Sequence, residues 1–142
     1  MSEENKAMVR RFFKEFITNG DLLVADELMA EDFVDHNPAG PNQGPGREGT
    51  KQLFAGRRLA FPDAAVAVED QISEGDKVVS RLTITGTHQG EFMGIPATGK
   101  SFSIGAVAIF RIEGGKIVER WGQTDNIGMM QQLGVIPAPG TL

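Results

Sequence analysis

The sequence of 142 residues contains no cysteine and no tyrosine, and it contains only two histidines. Without cysteine the chain can have no disulfide, no thiol nucleophile and no thiolate zinc site. His36 and His88 lie too far apart in sequence to form a helical ligand pair, so we expect no protein-bound metal. The absence of tyrosine removes the phenol that several enzymes with small pockets use to polarise a carbonyl or to position water.

Clustered positive charge and long apolar runs are also missing. The 14 Lys and Arg residues are scattered and the formal net charge is -5, which argues against binding to nucleic acid. No apolar run approaches the roughly 18 residues of a membrane span, and the charged N-terminus is unlike a signal peptide. We therefore expect a cytoplasmic protein that binds neither nucleic acid nor membrane, with one domain over residues 1–142 and one sizeable core.

Three helices are predicted in the first 60 residues. Apolar residues recur on one helical face over residues 3–19, and Asp21 is a plausible cap for a second, shorter helix. A third helix is predicted over residues 48–60, and it buries Phe54. Between the last two helices the helical periodicity is lost, and residues 36–38 are expected on a turn or short strand. The Pro- and Gly-rich stretch that follows predicts a surface loop near a pocket mouth.

The chain after residue 62 has the alternation and the turn signals of β-structure. Gly75-Asp76 and Gly114-Gly115 are two-residue hairpin signals, and four strands are predicted at residues 64–73, 77–89, 100–112 and 116–124. Helices followed by such a meander predict an α+β fold, a cone-shaped barrel in which helices cover one face of a strongly curved, mainly antiparallel sheet. The interior of the cone is expected to hold a small apolar or aromatic ligand.

Asp125 follows the last predicted strand and precedes a short helical run. In a regular hairpin Ala108 pairs with Trp121 and Ile104 pairs with Asp125, so Trp121 and Asp125 share an apolar face. Burial in such company is the condition for a carboxyl group that acts as a base or acid near neutral pH. Asp125 can instead cap the helix that follows it, and the residues alone leave both roles open.

Other residues can contribute to the pocket. Asn37 and His36 can form hydrogen bonds to a substrate carbonyl or a water. Alternatively, they only stabilise the turn in which they lie. Trp121 can wall the site or pack in the core, and His88 continues an inward alternation. Arg111 points away from the pocket in a regular register and towards it if one β-bulge intervenes. An apolar flap or dimer contact is predicted between the middle strands, formed by Phe92, Met93 and Ile95.

Several segments together resemble a known family. They are residues 74–79 (EGDKVV), 86–88 (GTH), 90–96 (GEFMGIP), 98–100 (TGK), 115–119 (GKIVE), Trp121 with Asp125, and 131–134 (QQLG). In their order and spacing the chain resembles the SnoaL-like polyketide cyclases. These belong to the larger group of cone-shaped α+β barrels that includes nuclear transport factor 2 and ketosteroid isomerase.

The resemblance implies an enzyme without a cofactor that closes a ring by intramolecular aldol condensation. It makes Asp125 the general acid/base and places Asn37 at a matching pocket position, while Arg111 stands where characterised cyclases carry a histidine. A homodimer is expected, because an open cone leaves sheet surface that a two-fold partner can cover. The full expected site is catalytic Asp125, Asn37 and His36, with substrate contacts from Trp121, His88, Phe92, Met93, Ile95, Arg111 and Phe54.

Other functions stay open. Ketosteroid isomerase chemistry needs a tyrosine in its oxyanion hole, and limonene epoxide hydrolase chemistry needs a tyrosine beside an Asp-Arg-Asp set. In this chain Thr83 stands two residues after Arg81, where that set requires an acid, and Arg81 is expected to pair with Asp70 across the hairpin. A binding module without catalysis is a further alternative, in which Asp125 only orients a ligand or caps a helix.

Overall fold

The computed structural model describes residues 2–40 and 43–137. The first helix, α1 (Ser2–Arg11), continues directly into a π-helical segment, Phe12–Thr18. This continuous helical stretch matches the apolar stripe predicted over residues 3–19, and its Phe side chains are buried. Gly20 then adopts a φ of 73°, a left-handed conformation that ends the helix and that glycine reaches without steric strain. Two further helices are α2 (Val24–Leu28) and α3 (Gly46–Ala60).

A strand that the sequence analysis missed, β1 (Met29–Asp35), starts directly after α2. Only Met29 and Phe33 within it are buried, four residues apart, so the period-two alternation that identifies a strand is absent. The strand lies parallel to the strand that comes last in the sequence, and the register of this pair is irregular. Its end carries the chain to the turn at residues 36–38.

The other strands form the predicted antiparallel meander, at β2 (Ala65–Glu74), β3 (Lys77–Thr87), β4 (Ser101–Glu113) and β5 (Lys116–Thr124). Both predicted hairpin turns are confirmed, as is the pair between Arg81 and Asp70. The strand order is β1-β5-β4-β3-β2, and within the described residues the sheet does not close into a barrel. The α+β class is thus confirmed, with an open mixed sheet.

A β-bulge interrupts the β4–β5 hairpin close to its turn. Ile112 lies opposite Ile117, as predicted, but Arg111 lies opposite Glu119. Val118 is therefore an extra residue on β5, and every later residue of β5 is displaced by one relative to a regular hairpin.

The bulge exchanges the two faces of β5. Ala108 lies opposite Gly122 rather than Trp121, which contradicts the predicted register. Because side chains alternate along a strand, a shift of one residue moves each side chain to the other face. Arg120, Gly122 and Thr124 consequently share the face of the buried side chains of β4, and Trp121 lies on the opposite face.

The core lies between the helices and one face of the sheet. Every second residue of β4 from Phe102 to Ile112 is buried, as the alternation requires. Phe110 packs against Phe12 and Phe13 of the π-helical segment, with ring centroids 5.3 and 5.6 Å apart. A second apolar cluster surrounds Phe61 and includes residues of α4 (Asn126–Gln132). Throughout residues 2–40 and 43–137, no helix combines the length and the apolar composition that a membrane span requires.

Candidate functional site

A cavity of about 340 Å³ lies between the helices and the buried face of the sheet. The volume is in the range of small-molecule sites. Its walls come from the π-helical segment, α3, β1 with its following turn, and strands β2 to β5. Most lining side chains are apolar, and the aromatic ones are Phe12, Phe13, Phe33, Phe54, Phe61, Phe102 and Phe110.

Small residues in the centre of the sheet leave this space open. Ala106 and Ala108 of β4 lie between the much larger Phe102 and Phe110 on the same face. Opposite Ala108 on β5 is Gly122, and a Cβ atom at this position would lie 2.3 Å from Nη2 of Arg120. Gly122 therefore leaves the room that the Arg120 guanidinium occupies.

An ion pair forms the polar end of the cavity. Nη1 of Arg120 donates to Oδ1 of Asp35 at 3.0 Å, and the Asp35 side chain is only 11% exposed. The same carboxylate accepts from the backbone N–H of Asn37 at 3.0 Å and from Nε2 of Gln43 at 3.3 Å. Asp35 is held from three sides, so its carboxylate has a fixed position in the cavity wall.

Asn37 connects the turn after β1 to β5. Its Oδ1 accepts from the backbone N–H of Gly122 at 3.0 Å, and its carbonyl accepts from Nη1 of Arg120 at 3.1 Å. The side-chain NH2 group has no hydrogen-bond partner among the described residues. The structure thus places Asn37 in the cavity wall with donors that can bind a ligand, and its catalytic role stays a prediction.

Arg57 reaches the cavity from the last turn of α3. Its Nη2 donates to the carbonyl of Ala39 at 3.2 Å, and its guanidinium lies 5.4 Å from the ring centroid of Phe92. Burial, together with the positive charge of Arg120, lowers the pKa of the Arg57 guanidinium. No carboxylate of the described residues lies within 4 Å of this group.

Cations outnumber anions in the cavity. Arg57, Arg58 and Arg120 line it, whereas Asp35 is the only carboxylate among the described lining residues. Nη1 of Arg58 donates to the carbonyls of residues 17 and 18, so Arg58 caps the end of the π-helical segment. Arg120 already shares Asp35, whereas neither Arg57 nor Arg58 has a carboxylate within 4 Å among the described residues. Arg58 donates to two carbonyls and Arg57 to one.

The expectation that Asp125 lines the cavity is wrong. Its Oδ1 accepts from the backbone N–H of Gly128 at 2.8 Å, so the exposed carboxylate caps α4. Residues on both sides of it, Thr124 and Asn126, do line the cavity. The shifted register directs the neighbours inward, and the free N–H groups of the helix end hold the carboxylate outside.

His36, Trp121 and Arg111 lie on the opposite face of the sheet from the cavity, which contradicts their predicted place in the pocket. The rings of His36 and Trp121 stack with centroids 4.7 Å apart, and Nε2 of His36 lies 2.7 Å from Oε2 of Glu119. Glu119 also accepts from Nε of Arg111. These hydrogen bonds, first that of His36 and then that of Arg111, lower the pKa of the Glu119 carboxyl.

His88 is fully buried but does not line the cavity. Its ring lies 5.5 Å from that of Phe61, and its Nδ1 lies 3.1 Å from Oγ1 of Thr98. Because the backbone N–H of Thr98 also donates to Nδ1, this nitrogen is an acceptor. His88 therefore joins the loop before β4 to the second apolar cluster.

The predicted flap contributes nothing to the cavity wall. Phe92 packs on Phe61 at 5.0 Å, and with Met93 it borders an open groove that Leu53 and Arg57 of α3 also line. Ile95 forms an isolated bridge with Phe92 and lies beside neither space. Of the predicted substrate contacts, Phe54 lies in the cavity wall.

The charged residues of the cavity were not predicted from the sequence. Arg57 is three residues after Phe54 and so shares its helix face, a signal that could have identified it. Asp35 stands two residues before Asn37, the spacing of a turn closed by a side chain. Arg120 faces the cavity only because of the β-bulge, which the sequence does not reveal.

In residues 2–40 and 43–137, no three His, Asp or Glu side chains are grouped as metal ligands.

Known proteins are similar to this chain in both fold and sequence. The family model for SnoaL-like polyketide cyclases matches residues 7–133. The chain is 31% identical over 132 residues to the aklanonic acid methyl ester cyclase of Streptomyces peucetius, an alignment that covers 89% of this chain and 88% of the relative. It is 34% identical over 112 residues to the nogalonic acid methyl ester cyclase of Streptomyces nogalater, an alignment that covers 77% of this chain and 82% of the relative. The structure of TsrD from Streptomyces laurentii superposes with a TM-score of 0.86 at 29% sequence identity. The superposition covers 96% of this chain and 98% of TsrD.

Proposed function

The chain belongs to the SnoaL-like polyketide cyclase family, and on that premise we propose that it is an enzyme without a cofactor that closes a ring by intramolecular aldol condensation. Its substrate in this proposal is a small apolar or aromatic polyketide-type molecule. The observation that carries the proposal is the apolar cavity with one fixed carboxylate, Asp35, at its polar end. Such a site offers a positioned base in surroundings poor in water.

The proposed reaction begins when the Asp35 carboxylate takes a proton from a carbon that neighbouring carbonyls acidify. The enolate carbon then attacks a ketone carbon of the same molecule, so that one C–C bond forms and the C=O π bond opens to an alkoxide. The Asp35 carboxyl returns its proton to the alkoxide, and no atom is gained or lost. The guanidinium of Arg120 and the amide of Asn37 stabilise the negative charge that develops on oxygen.

Asp125 is the acid/base that the family resemblance implies, and this role stays a prediction. Its carboxylate is bound to the backbone N–H of Gly128, so catalysis by Asp125 would require the first turn of α4 to open. Asp35 needs no such change, since it already lies in the cavity wall. For this reason we assign the base to Asp35.

The test is the turnover of a panel of aromatic polyketide esters, β-keto esters and epoxides by the wild type, Asp35→Asn and Asp125→Asn. We expect Asp35→Asn to lower kcat by about a hundredfold or more, because the amide cannot take the proton. Asp125→Asn should change kcat less than about threefold, since Asn caps a helix as well as Asp does. The reverse pattern would return the role to Asp125. Asp70→Asn, on the outer face, is the matched control.

A binding protein without catalysis is the second candidate. The capping role of Asp125 favours it, because this is the role that the binding alternative requires. Retained ligand binding with no turnover of any panel member by the wild type would support this candidate over the enzyme.

We also propose a homodimer that forms through the outer face of the sheet, in a protein of the cytoplasm. Val107 lies on β4, the central strand, and is 44% exposed, with Ile109 and Trp121 beside it on the same face. A two-fold partner would cover these apolar side chains. We expect light scattering after size exclusion to give twice the 15.3 kDa of one chain. A mass of one chain for the wild type would refute the dimer, and Val107→Asp should produce that mass if the proposal is right.

A further inference from the structure

We infer that the ligand of the cavity carries an organic anion, such as a carboxylate, joined to an apolar ring system, and that Arg57 binds the anion. The inference deepens the proposed function, on which it rests, because it names the ligand class of the same cavity. It starts from Arg57, which has no carboxylate within 4 Å among the described residues and donates to one carbonyl, whereas Arg58 donates to two.

The contacts of Arg57 leave most of its donors free. A guanidinium carries five N–H donors, and this one makes a single hydrogen bond, to the carbonyl of Ala39, besides its contact with the Phe92 ring. Arg111 on the outer face differs, because it lies within 4 Å of three carboxylates, those of Asp76, Glu113 and Glu119. The described residues thus neutralise the guanidinium of Arg111 and leave that of Arg57 uncompensated.

The polar end of the cavity cannot supply the missing charge. Asp35 is already paired with Arg120. Arg120 donates to the carbonyl of Asn37 and Arg57 donates to that of Ala39, so both guanidiniums hold the same short turn. Two cations therefore hold one turn while the described residues supply a single carboxylate, and the charge of Arg120 disfavours that of Arg57. A bound anion would relieve this repulsion and offset the desolvation of Arg57.

The surroundings of Arg57 fit an anion attached to a ring. Phe54 lies one turn earlier on the same face of α3, and Leu53 also lines the cavity. The planar fork of a guanidinium matches a carboxylate with two parallel hydrogen bonds. A flat aromatic acid can thus place its ring against the apolar wall and its carboxylate on Arg57.

The experiment compares two probes that differ only in charge, 2-naphthoate and its methyl ester. Their dissociation constants are measured by calorimetry near neutral pH for the wild type, Arg57→Gln, Arg57→Lys and Arg111→Gln. We expect the wild type to bind the acid about 10- to 100-fold more tightly than the ester, as for a charge-assisted pair. Arg57→Gln should reduce this ratio to near one, Arg57→Lys should keep part of it, and Arg111→Gln should keep all of it.

Several results would overturn the inference. These are equal affinities for acid and ester in the wild type, an acid preference that survives in Arg57→Gln, or no binding of either probe at about 1 mM. Unchanged affinity for the ester in Arg57→Gln shows that the cavity has kept its shape in the variant. The cyclase proposal is judged separately by turnover. If the wild type prefers the acid but turns over no substrate, only the cyclase proposal is contradicted. If it turns over a substrate but does not prefer the acid, only the anion site is contradicted.

Discussion

The two faces of the sheet use the same charged residue types for different purposes. On the outer face Arg81 pairs with Asp70, and Arg111 pairs with Glu119, so these charges hold neighbouring strands to one another. On the inner face the described residues provide three guanidinium groups and one carboxylate. A fold that needed charges only for stability would pair them on both sides. This excess of guanidinium groups over carboxylates distinguishes the cavity from the paired charges of the outer face.

The largest expected difference between the two faces is the loss of stability that a substitution causes, and a pair of substitutions on β4 tests this. Phe110 is fully buried and packs on Phe12 and Phe13, so Phe110→Ala should lower the free energy of unfolding by about 3–5 kcal/mol. Val107 is three residues earlier on the opposite face, and Val107→Ala should lower it by less than about 1 kcal/mol in the monomer. Urea unfolding of both variants, at a concentration at which light scattering gives the mass of one chain, measures the difference. Equal losses would mean that the outer face is as tightly packed as the core.

A smaller effect is expected from the ion pairs of the outer face. The pKa of Glu119 lies below its ordinary value of 4.5, because His36 and Arg111 bond its carboxylate. A carboxyl with a lowered pKa in the folded state stabilises the fold above its ordinary pKa, and this contribution is lost as the pH falls through the folded value. Glu119→Gln should therefore lower Tm by about 1–3 °C near neutral pH, and the difference should shrink below pH 4.5.

Thermal unfolding of the wild type and Glu119→Gln as a function of pH checks this expectation. Glu74→Gln is the matched control, because Glu74 is exposed and has no ion-pair partner among the described residues. A difference in Tm that stays constant from neutral pH to below pH 4.5 would show that the ionisation of Glu119 contributes nothing.

Local patterns in the sequence were sufficient for most of the architecture. The stripe of Phe residues predicted the first helix, and Gly75-Asp76 and Gly114-Gly115 predicted the hairpins, because both signals depend on neighbouring residues. The strand β1 was missed because its pairing with β5 is irregular and its burial does not alternate. Its position is determined by tertiary contacts, which no local pattern records.

The candidate site depended on one feature that the sequence does not reveal. Ile117 and Val118 are both apolar, so the alternation gives no sign that Val118 is the extra residue of a bulge. A regular register therefore placed Trp121 inside, whereas in the structure Arg120 lines the cavity and Trp121 lies on the outer face. Phe54 and Asn37 line the cavity. The position of Phe54 follows from its face of α3, whereas Asn37 is bonded to Gly122 and Arg120 of β5.

The most direct test of the account is a crystal structure of the protein with 2-naphthoate. We predict that the naphthalene ring lies in the cavity against Phe54 and that the carboxylate oxygens lie about 3 Å from the guanidinium nitrogens of Arg57. A ligand bound instead on the outer face beside Trp121, or in the groove beside Met93, would contradict the claim that the uncompensated charge of the cavity marks the site.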